Sequence, residues 1–531
     1  MSLFRNKVMS AREAVGLIKD GDCVAISSAG LVGYPEYIAM SIEEAFKETG
    51  HPASLTLYSG CGHGTPARYA GDAHFTQPGM LSKVICAHPK PVKEMMDLIA
   101  RDAFPAYILP QGVMQQLYRC AAAKQPGILT KIGMGTFMDP RQSGGRANPS
   151  ATEEIVRIME LDGEEWLFYK SFPVTIAIIR GTTADEFGNV SIEKEALKLE
   201  LLEIAEAAKA SGGKVIVQVE HTTAAGTIDP KMITVPGEMV DAVVVCPDSR
   251  YHMQTEGTVY NPYFTGALRA PANKTEESNG EHILNSVDVV CRRAAYELYP
   301  NAVVNVGIGI GSGIGAVARE ERIEDKLTFT LELGAFGGAP QAPPDFGASE
   351  NPTAFIAHPS MFDFYHGGGL DIAFLGVAQV DKYGNVNASM FGGQSSGQGG
   401  FIDISQSCRK TVFCTYFKAK GLDAAVKNGK LVIQREGALP KFVEEVDQIT
   451  FNGQVALSME KKVLYVTERC VFELTDNGLL LTEVAPGVDL EKDIFAQMEF
   501  RPLVSDNLKI MNKSIFTPGK MGLLCELFKE S

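Results

Sequence analysis

The sequence predicts an α/β protein built of two similar open α/β domains. Three observations predict it. A segment near residue 180 recurs near residue 376, each half opens with a strand, a glycine loop and a helix, and the 53 glycines cluster at the ends of the apolar runs. A composition of 45% apolar and 21% charged residues suits a globular chain with large cores.

In chain order, DGDCVAI from Asp20 reads as a turn and a strand, SSAGLVGYP as a glycine-containing loop, and YIAMSIEEAFKE as an amphipathic helix. IAIIRGTTADEFGNV, from Ile176, is a strand closed by a D-x-aromatic-G-N turn. Asp and Asn bond their own backbone in such turns and Gly supplies a positive φ. IAFLGVAQVDKYGNV, from Ile372, aligns with it without gaps and shares Asp381, Gly384 and Asn385 with Asp185, Gly188 and Asn189. The same register carries KVIVQ from Lys214 onto KTVFC from Lys410, and a slightly longer one pairs VDAVVV from Val240 with VDQITF from Val446. Ala270–Glu281 (APANKTEESNGE) lacks apolar periodicity and reads as the linker, giving domains 1–272 and 273–531. The second half opens on NAVVNVGIGI, then GSGIG, then the helix AVAREER. Strand, glycine loop, helix is the parallel α/β unit, and ligands of such sheets bind beyond the carboxyl ends of the strands.

The 49 basic and 64 acidic residues give a net charge of −15, which argues against nucleic-acid binding. The ten cysteines form no C-x-x-C pair, so zinc-ribbon and thioredoxin chemistry lack support and reduced thiols in the cytoplasm are expected. The first 15 residues contain no uninterrupted apolar run of the kind a secretory signal uses. The longest weakly polar stretch, Val303–Ala318, falls short of the ~20 residues a membrane span needs.

Four places carry candidate chemistry. In LTFTLELGAFGGAP, Glu332 follows a run of β-formers and precedes Gly334, Gly337 and Gly338. A carboxylate at a strand end against glycine loops is open to close approach by a ligand, and a solvated edge position is the plain alternative. Gly311, Gly313 and Ala316 satisfy a dinucleotide-binding pattern with Glu332 as its downstream acid, a competing reading. In FGGQSSGQGGF, Gly397, Gly399 and Gly400 leave backbone N–H groups unobstructed for a phosphate or an oxyanion. In GCGHGTPARYAGD and just beyond it, His63 and His74 lack partners at metal-ligand spacing and read as loop or core residues.

With LPQG (109–112), GTFMDPR (135–141), FDFYHGGGLDIAFLG (362–376), GQGGFIDIS (397–405), TERCVF (467–472) and EVAPGVDL (483–490), the chain resembles the family I coenzyme A transferases. It is most similar to the propionate/acetate type with both halves fused. The resemblance spans nearly the whole chain and implies a site between the two domains. It makes Glu332, in Glu332-Leu333-Gly334, the covalent nucleophile, since that family's glutamate sits in E-x-G ahead of a glycine pair. The implied reaction moves coenzyme A between short-chain acyl-CoA and short-chain acids such as acetate, propionate and butyrate. It is ping-pong, through an acyl-glutamyl anhydride and a glutamyl-CoA thioester, and a glutamate at its ordinary ~4.3 is ionised for that role. The Gly399 and Gly400 N–H groups are the expected oxyanion donors, with Gly397 in the same loop, and Gln111 is placed at the acyl end, with a helix-capping or buried amide as the alternative. Coenzyme A enters as substrate; no cofactor, metal, nucleic acid or membrane is expected, and a homo-oligomer is. Two departures stand out: Ser27-Ser28-Ala29 replaces Gly-Gly-Phe, and Leu333 replaces a small residue, implying a reshaped acyl pocket. The rival functions are an acyl-CoA hydrolase on the same glutamate, a non-catalytic CoA- or dinucleotide-binding module, and an NAD-dependent dehydrogenase.

Overall fold

A computed structural model describes residues 6–271, 283–307 and 309–528 of the chain. Most of the expected linker and the 272/273 boundary lie outside the described residues. The chain forms two compact units. The first comprises 1–270 together with 331–363 and 394–403; the second comprises 271–330, 364–393 and 404–531. The first unit therefore recruits two stretches from the second half of the sequence.

In the first unit, seven parallel strands form one sheet. They are β1 (Cys23–Ile26), β2 (Leu55–Ser59), β3 (Leu81–Cys86), β4 (Ala106–Ile108), β5 (Ile176–Arg180), β6 (Lys214–Val219) and β7 (Ala242–Val245), in the order β7-β6-β5-β1-β2-β3-β4. All five residues of β5 are buried, as expected of a parallel strand covered on both faces. Helix α1 (Glu36–Thr49) buries Ile38, Ala39 and Ile42; α2 (Gln111–Ala122) and α3 (Leu201–Ala210) bury most of their apolar residues. The recruited stretches add Leu331, Leu333, Ala335, Ala348 and Ile402 to this core.

In the second unit, β8 (Val303–Val306), β9 (Thr328–Leu331), β10 (Ile372–Gly376), β11 (Lys410–Cys414) and β12 (Lys462–Val466) are parallel, in the order β9-β8-β10-β11-β12. The sheet continues through β13 (Cys470–Thr475), antiparallel to β12, then β14 (Gly478–Val484) and β15 (Leu503–Ile510). The order β2-β1-β5-β6-β7 in the first unit matches β9-β8-β10-β11-β12 in the second, so the repeat extends over five strands.

The turns repeat atom for atom. Asp185 Oδ1 accepts from the N–H groups of Phe187 and Asn189, and its Oδ2 accepts from Asn189 Nδ2 at 2.8 Å. Asp381 does the same with Tyr383 and Asn385. Gly188 and Gly384 hold φ of 86° and 76°, where a side chain is strained. Asn189 Oδ1 then accepts from Gly237 N–H and Asn385 Oδ1 from Gly453 N–H. This corrects the last expected pairing: Val446–Phe451 forms no strand of the sheet, and the counterpart of β7 is β12. A hairpin inserted between β11 and β12, Asp423–Lys427 with Lys430–Arg435, shifts the register.

Replacing Asn189 or Asn385 by Ala removes the Nδ2 donor to the buried Asp185 or Asp381 carboxylate and orphans one backbone N–H, that of Gly237 or Gly453, a loss of about 1–3 kcal/mol each. Urea unfolding of the two variants is expected to show destabilisation of similar size; a neutral Asn385→Ala would contradict the equivalence of the turns.

Candidate active site

All five residues singled out for chemistry, Glu332, Gln111, Gly397, Gly399 and Gly400, belong to the first unit. Glu332, Gly397, Gly399 and Gly400, from beyond position 273, are carried by the two stretches that cluster with the first unit.

Glu332 stands half-buried in the turn that ends β9, closed by Gly334 N–H to Leu331 C=O at 3.0 Å. The turn is clamped to its neighbour. Ile356 N–H donates to Gly334 C=O at 2.9 Å, and Ala335–Phe336 pairs antiparallel with Ala354–Phe355. A Cβ on Gly334 would lie 2.3 Å from Ile356 O, so only glycine allows this approach. Cys61, in the loop after β2, feels the carboxylates of Glu332 and Glu200. Burial first, with these charges adding, pushes its thiol up to about 12, so it is held as the neutral SH.

Two residues beyond Ile356 is His358. Helix α2 begins at Gln111, and its Nε2 donates to His358 Nε2 at 2.9 Å. His358 Nδ1 bonds Glu200 Oε2 at 2.8 Å, and Glu200 Oε1 accepts from Ser28 N–H at 3.2 Å. Glu200 and His358 are 0% exposed and Gln111 2%. Sequence reading missed His358 and Glu200: His358 stands singly after the apolar run Ala354–Ala357, and Glu200 is one of several charged residues between Lys194 and Glu206, so neither stands out. Ser28 belongs to the departing Ser27-Ser28-Ala29 loop. Its hydroxyl donates to the Gly30 and Val32 carbonyls, closing the loop while its N–H holds Glu200.

The glycine loop docks on both strand ends and helix. Gln398 and Gly399 N–H donate to Ala87 C=O at 3.2 and 3.1 Å, and Gly399 C=O accepts from Gln111 N–H at 3.1 Å. This corrects the role expected of Gly399: its N–H is committed to Ala87 and is not open to an oxyanion. Gly400 N–H has no hydrogen-bond partner among the described residues. Gly397 presses on Ala87–Pro89, where a Cβ would lie 2.6 Å from Ala87 O. Burial, with Lys90 nearby, lowers His88 to about 4 beside the Gly397 and Ser396 backbone. Asp403 accepts from Gly112 N–H at 3.1 Å, tying the loop's far end to the start of α2.

The remaining candidates are structural. Leu333 is 3% exposed, with Val32 and Gly347 around it, and it fills core. Gly311 and Gly313 lie in the second unit, close against Phe374 and Cys291, which accounts for their lack of a side chain. His63 Nδ1 bonds Ser59 at 3.0 Å, and the Ser59 hydroxyl bonds Asp72. His74 is gripped by Glu43 at Nδ1 (2.6 Å) and Glu36 at Nε2 (3.1 Å). Burial opposes its charge, but the two carboxylates outweigh burial and raise its pKa above 6.5. Burial likewise opposes Glu43, and Lys47, His74 and Tyr69 outweigh it, holding that carboxyl at about 2.

The linkage signs follow. His74, raised, contributes stability that is complete below 6.5 and is lost as pH rises through its folded pKa; Glu43, lowered, contributes above 4.5 and loses this as pH falls toward 2. Thermal unfolding of wild type and His74→Gln should therefore differ most between about pH 4.5 and 6.5. A gap that widens into alkaline pH would contradict this.

The chain matches known proteins along its length. Residues 8–246 match the family model described as coenzyme A transferase. The chain is 45% identical over 522 residues to a caffeate CoA-transferase of Acetobacterium woodii, covering 97% of this chain and 98% of that protein. It is 40% identical over 525 residues to the acetate CoA-transferase YdiF of Escherichia coli K12, covering 98% and 97%. A solved structure described as the thioester complex of acyl-CoA transferase YdiF from E. coli O157:H7 with CoA superposes with a TM-score of 0.91 at 39% identity, over 98% of this chain and 97% of that one.

Proposed function

The chain belongs to the coenzyme A transferase family, and from that premise we propose that it moves coenzyme A between short-chain acyl-CoA and short-chain carboxylic acids through Glu332. The observation that carries the reading is Glu332 on a turn clamped to 354–358, the stretch that leads to His358 and so to Gln111 and the glycine loop.

In this reading the Glu332 carboxylate attacks the acyl-CoA carbonyl and expels the CoA thiolate, leaving a mixed anhydride. The thiolate then attacks the glutamyl carbonyl, the first acid departs, and a glutamyl-CoA thioester remains. The acceptor acid runs the steps in reverse. Each attack forms an oxyanion. Gly400 N–H and the second N–H of the Gln111 amide are the donors we assign to it, and losing one such donor costs about 3–4 kcal/mol of barrier. The anhydride must be kept from water, or the enzyme becomes a hydrolase. The YdiF structure described as a thioester complex with CoA supports the covalent route. The chemistry needs no cofactor and no metal; a cytoplasmic homo-oligomer is proposed with it.

The caffeate CoA-transferase relative favours a second reading of the acid, a larger aryl-enoic substrate in place of acetate, propionate or butyrate. Exchange of label between each free acid and its CoA ester, run for acetate, propionate, butyrate and caffeate, ranks the acids. Wild type is expected to exchange short acids fastest, and Glu332→Gln to exchange none. Caffeate ranked first would transfer the assignment to aryl acids, and full exchange by Glu332→Gln would remove the nucleophile.

A further inference from the structure

Buried between α3 and the segment that follows the Glu332 turn is a hydrogen-bonded chain of which the reaction as written uses only the last member, Gln111. Ser28 N–H donates to Glu200 Oε1, Glu200 Oε2 takes the hydrogen on His358 Nδ1, and His358 Nε2 takes one from the Gln111 amide. The direction of the chain is fixed by chemistry. A backbone N–H only donates and a carboxylate only accepts, so Glu200 requires the hydrogen of the imidazole on Nδ1. In the neutral imidazole Nε2 is then an acceptor, and it is Gln111 Nε2 that the structure sets against it, at 2.9 Å.

This settles which end of the amide faces which way. Gln111 Oε1 turns to the glycine loop, 3.3 Å from where a Gly399 Cβ would stand, and one N–H remains uncommitted to His358. An amide free to turn over would offer oxygen where a developing oxyanion needs a donor. Stabilising the fold is a poor explanation for the arrangement. A fully buried carboxylate–imidazole pair gains little over apolar residues of the same volume.

We propose that Glu200 and His358 are positioning residues of the transfer reaction: they lock the Gln111 amide with its free N–H available to the acyl oxyanion. The proposal rests on the reading of Gln111 as an oxyanion donor. Its backbone is held independently, by Gly399 C=O on Gln111 N–H and by Leu199 C=O on His358 N–H, so the relay governs the orientation of a side chain whose place is already set. The Ser27-Ser28-Ala29 departure from the family pattern then has a use: Ser28 shapes the loop so that its N–H reaches Glu200.

The test is a double-mutant cycle on the full chain, read as acetate–acetyl-CoA exchange. Gln111→Ala is expected to lower kcat by about 10²–10³, the usual loss for one oxyanion donor, with the KM for acetyl-CoA little changed. His358→Phe should lower kcat by a similar factor, and the double variant should be no slower than Gln111→Ala alone. His358→Gln, whose amide oxygen can replace Nε2 as acceptor, should recover most of the rate. If His358→Phe does not fold, His358→Gln and Glu200→Gln decide: near-wild-type kcat in the first with a loss in the second supports the relay. Losses that multiply in the double variant, or a Glu200→Gln enzyme with unchanged kcat, overturn the positioning role while the transferase reading stands. Absence of exchange in wild type overturns that reading, and the proposal with it.

Discussion

The site depends on how two late stretches of chain are fastened to an early sheet. Residues 331–363 and 394–403 join a unit otherwise made of residues 1–270, and a few directed hydrogen bonds fix where they sit. His358 N–H reaches Leu199 C=O, Gln111 N–H reaches Gly399 C=O, Gly112 N–H reaches Asp403, and two N–H groups of the glycine loop converge on Ala87 C=O. Each is a backbone donor that would be costly to bury unpaired, so each holds its segment to within the tolerance of a hydrogen bond. Glu332, Gln111 and Gly400 inherit that tolerance. A carboxylate nucleophile needs it, because covalent catalysis gains from orientation only when the reacting atoms are held near contact distance.

The two repeats differ at one equivalent position. Strand register equates Val24, Ala25 and Ile26 with Val304, Asn305 and Val306, since they face Ile176–Ile178 and Ile372–Phe374 in turn. Ala25 faces Tyr58 and Asn305 faces Thr330, so Leu331 answers to Ser59 and Glu332 to Gly60. The same strand end therefore carries a carboxylate in one repeat and glycine in the other. Beside that glycine, Cys61 is kept protonated by burial, with the charges of Glu332 and Glu200 adding.

Much of this was legible in the sequence, for stated reasons. The strand–turn repeat shows because Asp185-x-Phe187-Gly188-Asn189 and its copy use residues with local backbone roles. Glu332, Gln111 and the glycine run show as short motifs at strand ends. Three things were hidden. Glu200 and His358 are 158 positions apart, one among other charged residues and the other beside an apolar run, so no local pattern pairs them. The commitment of Gly399 N–H to Ala87 is a tertiary bond with no sequence signature, so Gly399 and Gly400 look alike until the loop is docked. The end of the repeat was misaligned because the Asp423–Arg435 hairpin lengthens one copy between β11 and β12.

The central claim is that Glu332 becomes covalently charged with coenzyme A. Peptide mass spectrometry after mixing the protein with acetyl-CoA tests it most directly, with Glu332→Gln alongside. The account predicts a CoA-mass adduct on the Glu332 peptide of wild type, released by hydroxylamine and missing from the variant. An adduct on another residue, or one that persists in Glu332→Gln, would contradict it.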